Sequence, residues 1–470
     1  MSAADALRAQ LRALVGADAV LTEPSDTDSY LVDERRLYRG HALAVVLPHA
    51  VAQVADLLAW CNERRIGVVP QGGNTSYCGG ATPDDSGRQL LLSLRRLNRI
   101  RSVDADNFSL IAEGGCVLAS VQQAAAAVDR LFPLSLGSEG SCRIGGNLAT
   151  NAGGLNVVRY GMARELVLGI EAVFADGSVF DGLKSLRKDN TGYDLKSLLI
   201  GSEGTLGVIT AAALKLWPSM RSSATAFIGV PTPDAALRLL GLLRTAAGER
   251  LSSFELIPRI AIELTARYIS GVGDPLPATH PWYVLCELTS SVDEPLSELL
   301  QHALAEAGDQ SLLTDAAIAT SERVRAAFWR LRESVPEAQR HAGPSLKHDI
   351  SVPVAALPRF IEQASQWVAT HVRDGALVCY GHAGDGNLHF NLSCLEPERK
   401  AAFLAQEPSI RRAIHDLVAR FEGSFSAEHG IGQLKRDELQ RYTSPVELSA
   451  MRAIKRALDP NGIMNPGKLL

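Results

Sequence analysis

Two histidines lie on either side of an Asp-Gly pair in residues 378–393, VCYGHAGDGNLHFNLS, and their spacing suits metal chemistry. An Asp-Gly pair between apolar runs marks a tight hairpin. With Asp385-Gly386 at the centre of that turn, His382 and His389 fall opposite each other on one face, their Cβ atoms about 5 Å apart. Two imidazoles at that separation can share one metal ion, and Asn391 follows two residues along the same face. Histidines that only pack across a hairpin meet the same spacing, so the pair alone leaves both readings open.

A carboxylate comes from residues 426–432, SAEHGIG, where an acid and an imidazole precede a glycine-rich bend. Two histidines and one carboxylate suit a catalytic divalent ion such as zinc or manganese, with positions left for substrate and water. Glu428 is the expected third ligand, with a solvated surface acid as the alternative. Neighbouring side chains on an extended segment diverge, so Glu428 and His429 take different roles. His429 is the expected general base.

These groups need a scaffold, and composition bounds it. The 470 residues (50.3 kDa) allow two or three domains, and 46% hydrophobic residues with mean hydropathy +0.04 describe an ordinary globular chain. A net charge of -5 and a pI near 6.2 argue against a nucleic-acid partner. No apolar run approaches the ~20 residues that span a bilayer. The first twenty residues read as an amphipathic helix without the features of a secretory signal. Seven scattered cysteines contain no C-x-x-C, which favours reduced thiols in a cytoplasmic protein and gives no framework for an iron–sulfur cluster.

Glycine organises the first half. Helical spacing of Val51, Val54, Leu57, Leu58 and Cys61 precedes a strand expected over 66–70, which runs into Gln71-Gly72-Gly73-Asn74-Thr75-Ser76. A second cluster spans 137–147 and continues to 150–154. A third, GSEGTLG at 201–207, precedes an apolar run over 208–217. Glycines let backbone N–H groups approach a diphosphate and form anion-binding nests, so three such loops can enclose a long nucleotide. No G-x-G-x-x-G follows a strand and no G-x-x-x-x-G-K-[ST] occurs, which excludes a Rossmann unit or a P-loop.

In order, PQGGNTSYCGG, PLSLGSEGSCRIGGNLATNAGG, RYGMARELVLGIEAVFADGSV, LRKDNTGYDLKSLLIGSEGTLGVIT, CYGHAGDGNLHFN, SAEHGIG and DPNGIMNPGKL resemble the vanillyl-alcohol-oxidase type of FAD-linked oxidoreductase. Within it they are most similar to D-2-hydroxyglutarate dehydrogenases and related D-2-hydroxyacid dehydrogenases, from about residue 44 onward. The resemblance implies an α+β fold: a two-subdomain FAD-binding domain over 1–218, an antiparallel-sheet substrate (cap) domain over 219–425 carrying the metal hairpin, and a segment over 426–470 returning to the flavin. A helical leucine run at 237–243 and an apolar strand at 282–288 fit such a cap. It also implies FAD contacts at Gly72, Gly73, Asn74, Thr75, Pro133, Gly137, Gly140, Ser141, Gly145, Asn147, Asn151, Gly153, Gly154, Gly204, Ile209 and Asn465. No histidine lies between His49 and His280, so noncovalent FAD is expected.

By the same resemblance, His382, His389 and Glu428 hold the metal and His429 is the base. FWRLRES at 328–334 places a substrate arginine at Arg332, and SLKHD at 345–349 a substrate lysine at Lys347. Guanidinium grips a carboxylate with two parallel bonds, whereas lysine acts as a point charge. One departure stands out. Some relatives carry a threonine four residues after the arginine; this chain has Pro336, which puts the fit of a second carboxylate in question. D-2-Hydroxyglutarate is favoured, with D-lactate or glycolate as alternatives. Electrons then pass to an external acceptor such as an electron-transfer flavoprotein, a quinone or a cytochrome, and a homodimer is compatible with the family. A noncatalytic flavin subunit would lack the four metal-site residues, and a metal hydrolase would have no use for the glycine clusters.

Overall fold

The computed structural model describes residues 3–470, and the chain divides into two compact units. Unit one runs to Gly153 and adds Gly161–Ser219 and Glu428–Leu470; unit two comprises Gly154–Tyr160 and Met220–Ala427. Residues 154–160, Gly154 among them, therefore belong to unit two, whereas the expected first domain ran unbroken over 1–218.

Unit one contains two sheets. Helix α1 (Ala3–Val15) buries Leu11 and Val15. Strands β1 (Val20–Leu21) and β2 (Ala44–Val46), helix α2 (Val51–Arg64), β3 (Val68–Gln71) and β4 (Leu90–Ser93) follow. The first sheet has the order β1-β2-β4-β3, with β2 and β3 parallel to β4 and β1 antiparallel to β2. Its parallel strands are nearly unbroken apolar runs, as strands covered on both faces must be. Val54, Leu57, Leu58 and Cys61 of α2 are buried at helical spacing against it. The second sheet is antiparallel and uses β5 (Ile100–Asp104), β6 (Ser109–Glu113), β7 (Val167–Val173), β8 (Val179–Gly182) and β9 (Val208–Lys215), in the order β5-β6-β9-β7-β8. The short helix α3 (Ile144–Ala149) carries the second glycine cluster.

Unit two is built on an antiparallel sheet of β10 (Ser222–Val230), β11 (Leu251–Pro258), β12 (Trp282–Ser290) and β13 (Asp315–Ile318), in the order β11-β12-β10-β13. Ala226, Ile228, Val284 and Cys286 pack one face against α4 (Pro233–Ala247) and α6 (Leu296–Asp309). Phe227, Tyr283 and Leu285 pack the other against α5 (Arg259–Tyr268) and α7 (Glu322–Ala342). Alternation along a strand sends successive side chains to opposite layers, so all-apolar strands are expected here. The leucines at 237–243 lie inside α4, whose Thr232 hydroxyl caps the helix by accepting from Ala235 N–H (3.1 Å). A second sheet gathers β14 (Ser345–Leu346), β15 (Asp349–Ser351) and β16 (Ala376–Tyr380) around β17 (Asn387–Ser393). Among the described residues no helix is long and apolar enough to cross a membrane.

Candidate active site

Strand β17 has two unlike faces. Leu388, Phe390 and Leu392 point into the core of unit two, so Asn387, His389, Asn391 and Ser393 share the opposite face. Neighbouring strands extend that polar face, with Asp349 opposite His389 and Ser345 opposite Ser393. The same register puts Lys347 opposite Asn391.

The hairpin differs from the expected one. Tyr380, not His382, is the register partner of His389, so the loop spans residues 381–386 and Asp385-Gly386 ends it rather than centring it. Gly381 leaves the hairpin to exchange hydrogen bonds with Leu256 of β11 (2.9 and 3.0 Å), and Gly384 N–H donates to Phe254 O (3.1 Å). The two imidazoles still meet, edge to face with centroids 5.5 Å apart.

Docking on β11 brings His382 to Glu255, a residue that sequence reasoning missed. Glu255 is fully buried; Oε1 lies 2.7 Å from His382 Nδ1, and Oε2 accepts from Arg332 Nε at 2.7 Å. Burial is the largest influence on this carboxyl and pushes its pKa up, but His382 and Arg332 together outweigh it and hold it at about 2. With Nδ1 held by Glu255, Nε2 is the ring nitrogen through which His382 could ligate a metal, as where a carboxylate orients a ligating imidazole.

Arg332 is 5% exposed, on the face of α7 that covers the polar strand, with its guanidinium 4.8 Å from the Tyr380 ring centroid. Its Nη2 sits 2.7 Å from Glu255 Oε2 but makes no directed hydrogen bond, which leaves a buried donor for another acceptor. Arg330, two residues earlier, instead donates to Ser270 O at the surface (2.9 Å). Asn391 donates to Gln339 Oε1 (3.1 Å) and accepts from His348 N–H (3.3 Å), so much of its amide is spent locking α7 to the sheet. Pro336 lies inside α7; lacking an N–H, it leaves the Arg332 carbonyl without its helical donor. Lys347 lines a cavity of about 390 Å³ with Arg340, Ser345 and Lys400.

In unit one the first two glycine clusters pack backbone to backbone. A Cβ on Gly73 would meet Ser141 O at 2.4 Å, and one on Gly72 would meet Gly146 Cα at 3.1 Å. A Cβ on Gly145 would meet Ile209 O and Gly114 O, both at 3.1 Å, whereas Gly137 and Gly140 face open space. The Asn74 side chain (φ 56°) donates through Nδ2 to Val32 O (2.8 Å), and Asn151 (φ 50°) accepts from Arg164 N–H at its side-chain Oδ1 (2.9 Å). Asn147 Nδ2 and Asn465 Oδ1 are buried with no hydrogen-bond partner. Such orphans cost stability unless a ligand completes them. A cavity of about 710 Å³ opens between residues of the two sheets, walled by Leu21, Leu47, Arg95, Arg96, Cys116 and Arg143. Pro133 is buried, Thr75 and Gly153 flank the same clusters in sequence, and Gly204 (φ 71°) packs on Pro70.

The SAEHGIG segment is a series of bends rather than an extended strand. Ala427 N–H donates to Asp349 O (3.4 Å), so the chain leaves unit two beside the partner of His389, and Glu428 is the next residue. A Cβ on Gly153 would come 2.6 Å from Glu428 Oε1. The His429 ring stands edge-on to Tyr77, centroids 4.8 Å apart. Beyond it, Glu203 accepts from Ile431 N–H and Gly432 N–H, each at 2.7 Å. Although Glu203 as a residue is half-buried, desolvation dominates at its carboxylate and raises the pKa against these two bonds.

Residues 42–182 match the family described as FAD binding domain, and residues 219–469 match FAD linked oxidases, C-terminal domain. D-2-Hydroxyglutarate dehydrogenase, mitochondrial, of Bos taurus is 40% identical over 451 residues, covering 96% of this chain and 81% of that protein. The chain belongs to the D-2-hydroxyglutarate dehydrogenase family of FAD-linked oxidoreductases. Another D-2-hydroxyglutarate dehydrogenase, from Xanthomonas citri pv. viticola, is 36% identical over 98% of this chain and 96% of its own length. As in that family, this is an FAD-dependent dehydrogenase. The fold matches crystalline p-cresol methylhydroxylase with substrate bound, at a TM-score of 0.79 and 16% identity over 100% of this chain and 97% of that one.

Proposed function

We propose that this dehydrogenase oxidises a D-2-hydroxyacid, D-2-hydroxyglutarate foremost, to the 2-oxoacid. The observation that carries the reading is that His382 of the hairpin loop packs edge to face on His389 of β17 while one buried carboxylate, Glu255, engages both His382 and Arg332. Bound FAD supplies the hydride acceptor. Its fit rests on backbone approach at Gly72, Gly73 and Gly145, open faces at Gly137 and Gly140, and the orphaned amides of Asn147 and Asn465. The other expected contacts lie on or beside the same clusters.

The donor set of His382, His389 and Glu428 fits a divalent ion, zinc or manganese, which supplies Lewis acidity at the substrate hydroxyl. Arg332 offers Nη2 to the substrate carboxylate, with Asn391 as a further polar group on the strand face and Lys347 as the cation for a distal carboxylate. Arg340 and Lys400 add cationic character around Lys347. His429 accepts the hydroxyl proton at a ring nitrogen, a role that typically contributes ~10^2 to 10^4-fold. Pro336 favours the second reading, D-lactate or glycolate, because it offers no hydroxyl to a distal carboxylate. Electrons leave through an external acceptor, an electron-transfer flavoprotein, quinone or cytochrome. Seven free, buried cysteines suit a reducing compartment such as the cytoplasm, though the bovine relative's name says mitochondrial.

A panel of D- and L-2-hydroxyacids with an artificial electron acceptor tests the reading. D-2-Hydroxyglutarate should turn over fastest and the L-acids should be inert. Absence of turnover with every D-2-hydroxyacid would remove the proposal.

A further inference from the structure

The third glycine cluster contains an acid whose role its glycines do not explain. Glu203 sits at φ 52° and takes part in four hydrogen bonds through its N–H, carbonyl and carboxylate, all within unit one. Its N–H donates to Ala149 O (2.8 Å) at the end of α3. Its carbonyl accepts from Asn465 Nδ2 (2.7 Å), which also donates to Gly80 O (2.9 Å) beyond the first cluster. Its carboxylate takes the consecutive N–H groups of Ile431 and Gly432. Gly430 (φ 72°) and Gly432 (φ 54°) give the bend that aims both N–H groups at one anion, a backbone nest closed by a side chain of the same protein.

A Cβ on Gly430 would come 2.9 Å from Glu203 Oε1, and one on Gly432 would come 2.1 Å from Cys78 O. The glycines of SAEHGIG are therefore shaped to this clamp rather than free for a ligand. His429 immediately precedes the clamped bend. We propose that Glu203 is a positioning residue that fixes the His429 loop to the cofactor-side glycine clusters, so that the base is held in register with the flavin. This rests on His429 being the base. Displacing a catalytic group by about 1 Å can cost ~10^2-fold, so the effect should appear in the chemical step.

Glu203→Gln replaces one acceptor oxygen with an amide that opposes an N–H. Anaerobic stopped-flow of the FAD-loaded variant with D-2-hydroxyglutarate should show flavin reduction slowed roughly 10 to 100-fold at saturating substrate, with little change in KM. In a His429→Asn background the same substitution should slow reduction less than about 2-fold, since the group it positions is gone. Independent losses in both backgrounds, or a normal rate in Glu203→Gln, would overturn the inference. A normal rate in His429→Asn alone would instead overturn the base assignment. If Glu203→Gln does not retain FAD, amide exchange in the wild-type holoenzyme decides: Ile431 and Gly432 should be strongly protected, and fast exchange at both refutes the clamp.

Discussion

Glu255→Gln removes one charge from the centre of unit two while keeping its shape, and its consequences can be worked from the contacts. At a pKa of about 2 the carboxylate is ionised throughout the neutral range, and it lies 2.7 Å from both His382 Nδ1 and Arg332 Nε. Glutamine leaves Arg332, 5% exposed, as a buried cation without a counter-charge, a defect that typically costs about 3 to 5 kcal/mol. For a domain of this size that is a fall in Tm of roughly 10 °C. Losing the carboxylate that orients a ligating imidazole costs ~10 to 100-fold in metal affinity. The variant should therefore lose flavin reduction at chelator concentrations that leave the parent active, and melt earlier by thermal scanning. Glu287→Gln is the control: this carboxylate holds Arg325 and Trp329 of α7 from the adjacent strand (both 2.9 Å), but no His382 contact is among its bonds. It should lower Tm without changing chelator sensitivity. A Glu255→Gln protein that melts and resists chelator like the parent would refute the argument, and equal chelator sensitivity in both variants would reduce Glu255 to a fold residue.

Two further outcomes are expected. Lys347→Met should weaken D-2-hydroxyglutarate more than D-lactate by about 1.5 to 3 kcal/mol, or ~10 to 150-fold in kcat/KM; equal losses would assign Lys347 to the shared carboxylate or to the fold. Lys468 is 3% exposed, and burial lowers its pKa from 10.5 to about 8. Between those values the unfolded chain binds more protons than the folded one, so stability from this group rises as pH increases from 8 to 10.5; below pH 8 both states are charged and the burial cost is complete. Lys468→Met should accordingly stabilise the protein below pH 8, by at most about 3 kcal/mol, with the gain vanishing near pH 10.5. Denaturant melts across that range check it, and a pH-independent difference would contradict the burial.

What the sequence revealed and what it hid have separate physical origins. The glycine loops were legible because close backbone approach at Gly72, Gly73 and Gly145 leaves no room for a Cβ, so residue type records the geometry directly. The histidine pair was legible as a pair but in the wrong register. Its own residues describe a two-residue turn, whereas Gly381 is taken up by Leu256, more than a hundred positions earlier, and no local pattern encodes that partner. Arg330 and Arg332 could not be told apart by spacing; burial separates them, since only Arg332 turns toward Glu255. Glu203 and Glu255 went unrecognised as single acids, yet each stood in a telling place. Glu255 interrupts the apolar run Phe254 to Ile257, and a charge in such a strand is too costly to bury without a partner. That cost implies a cation or an imidazole brought from elsewhere in the fold. In this protein it is met by both: His382 from the hairpin loop and Arg332 from α7, and the acid that the strand could not hold alone becomes the group that aligns two expected site residues.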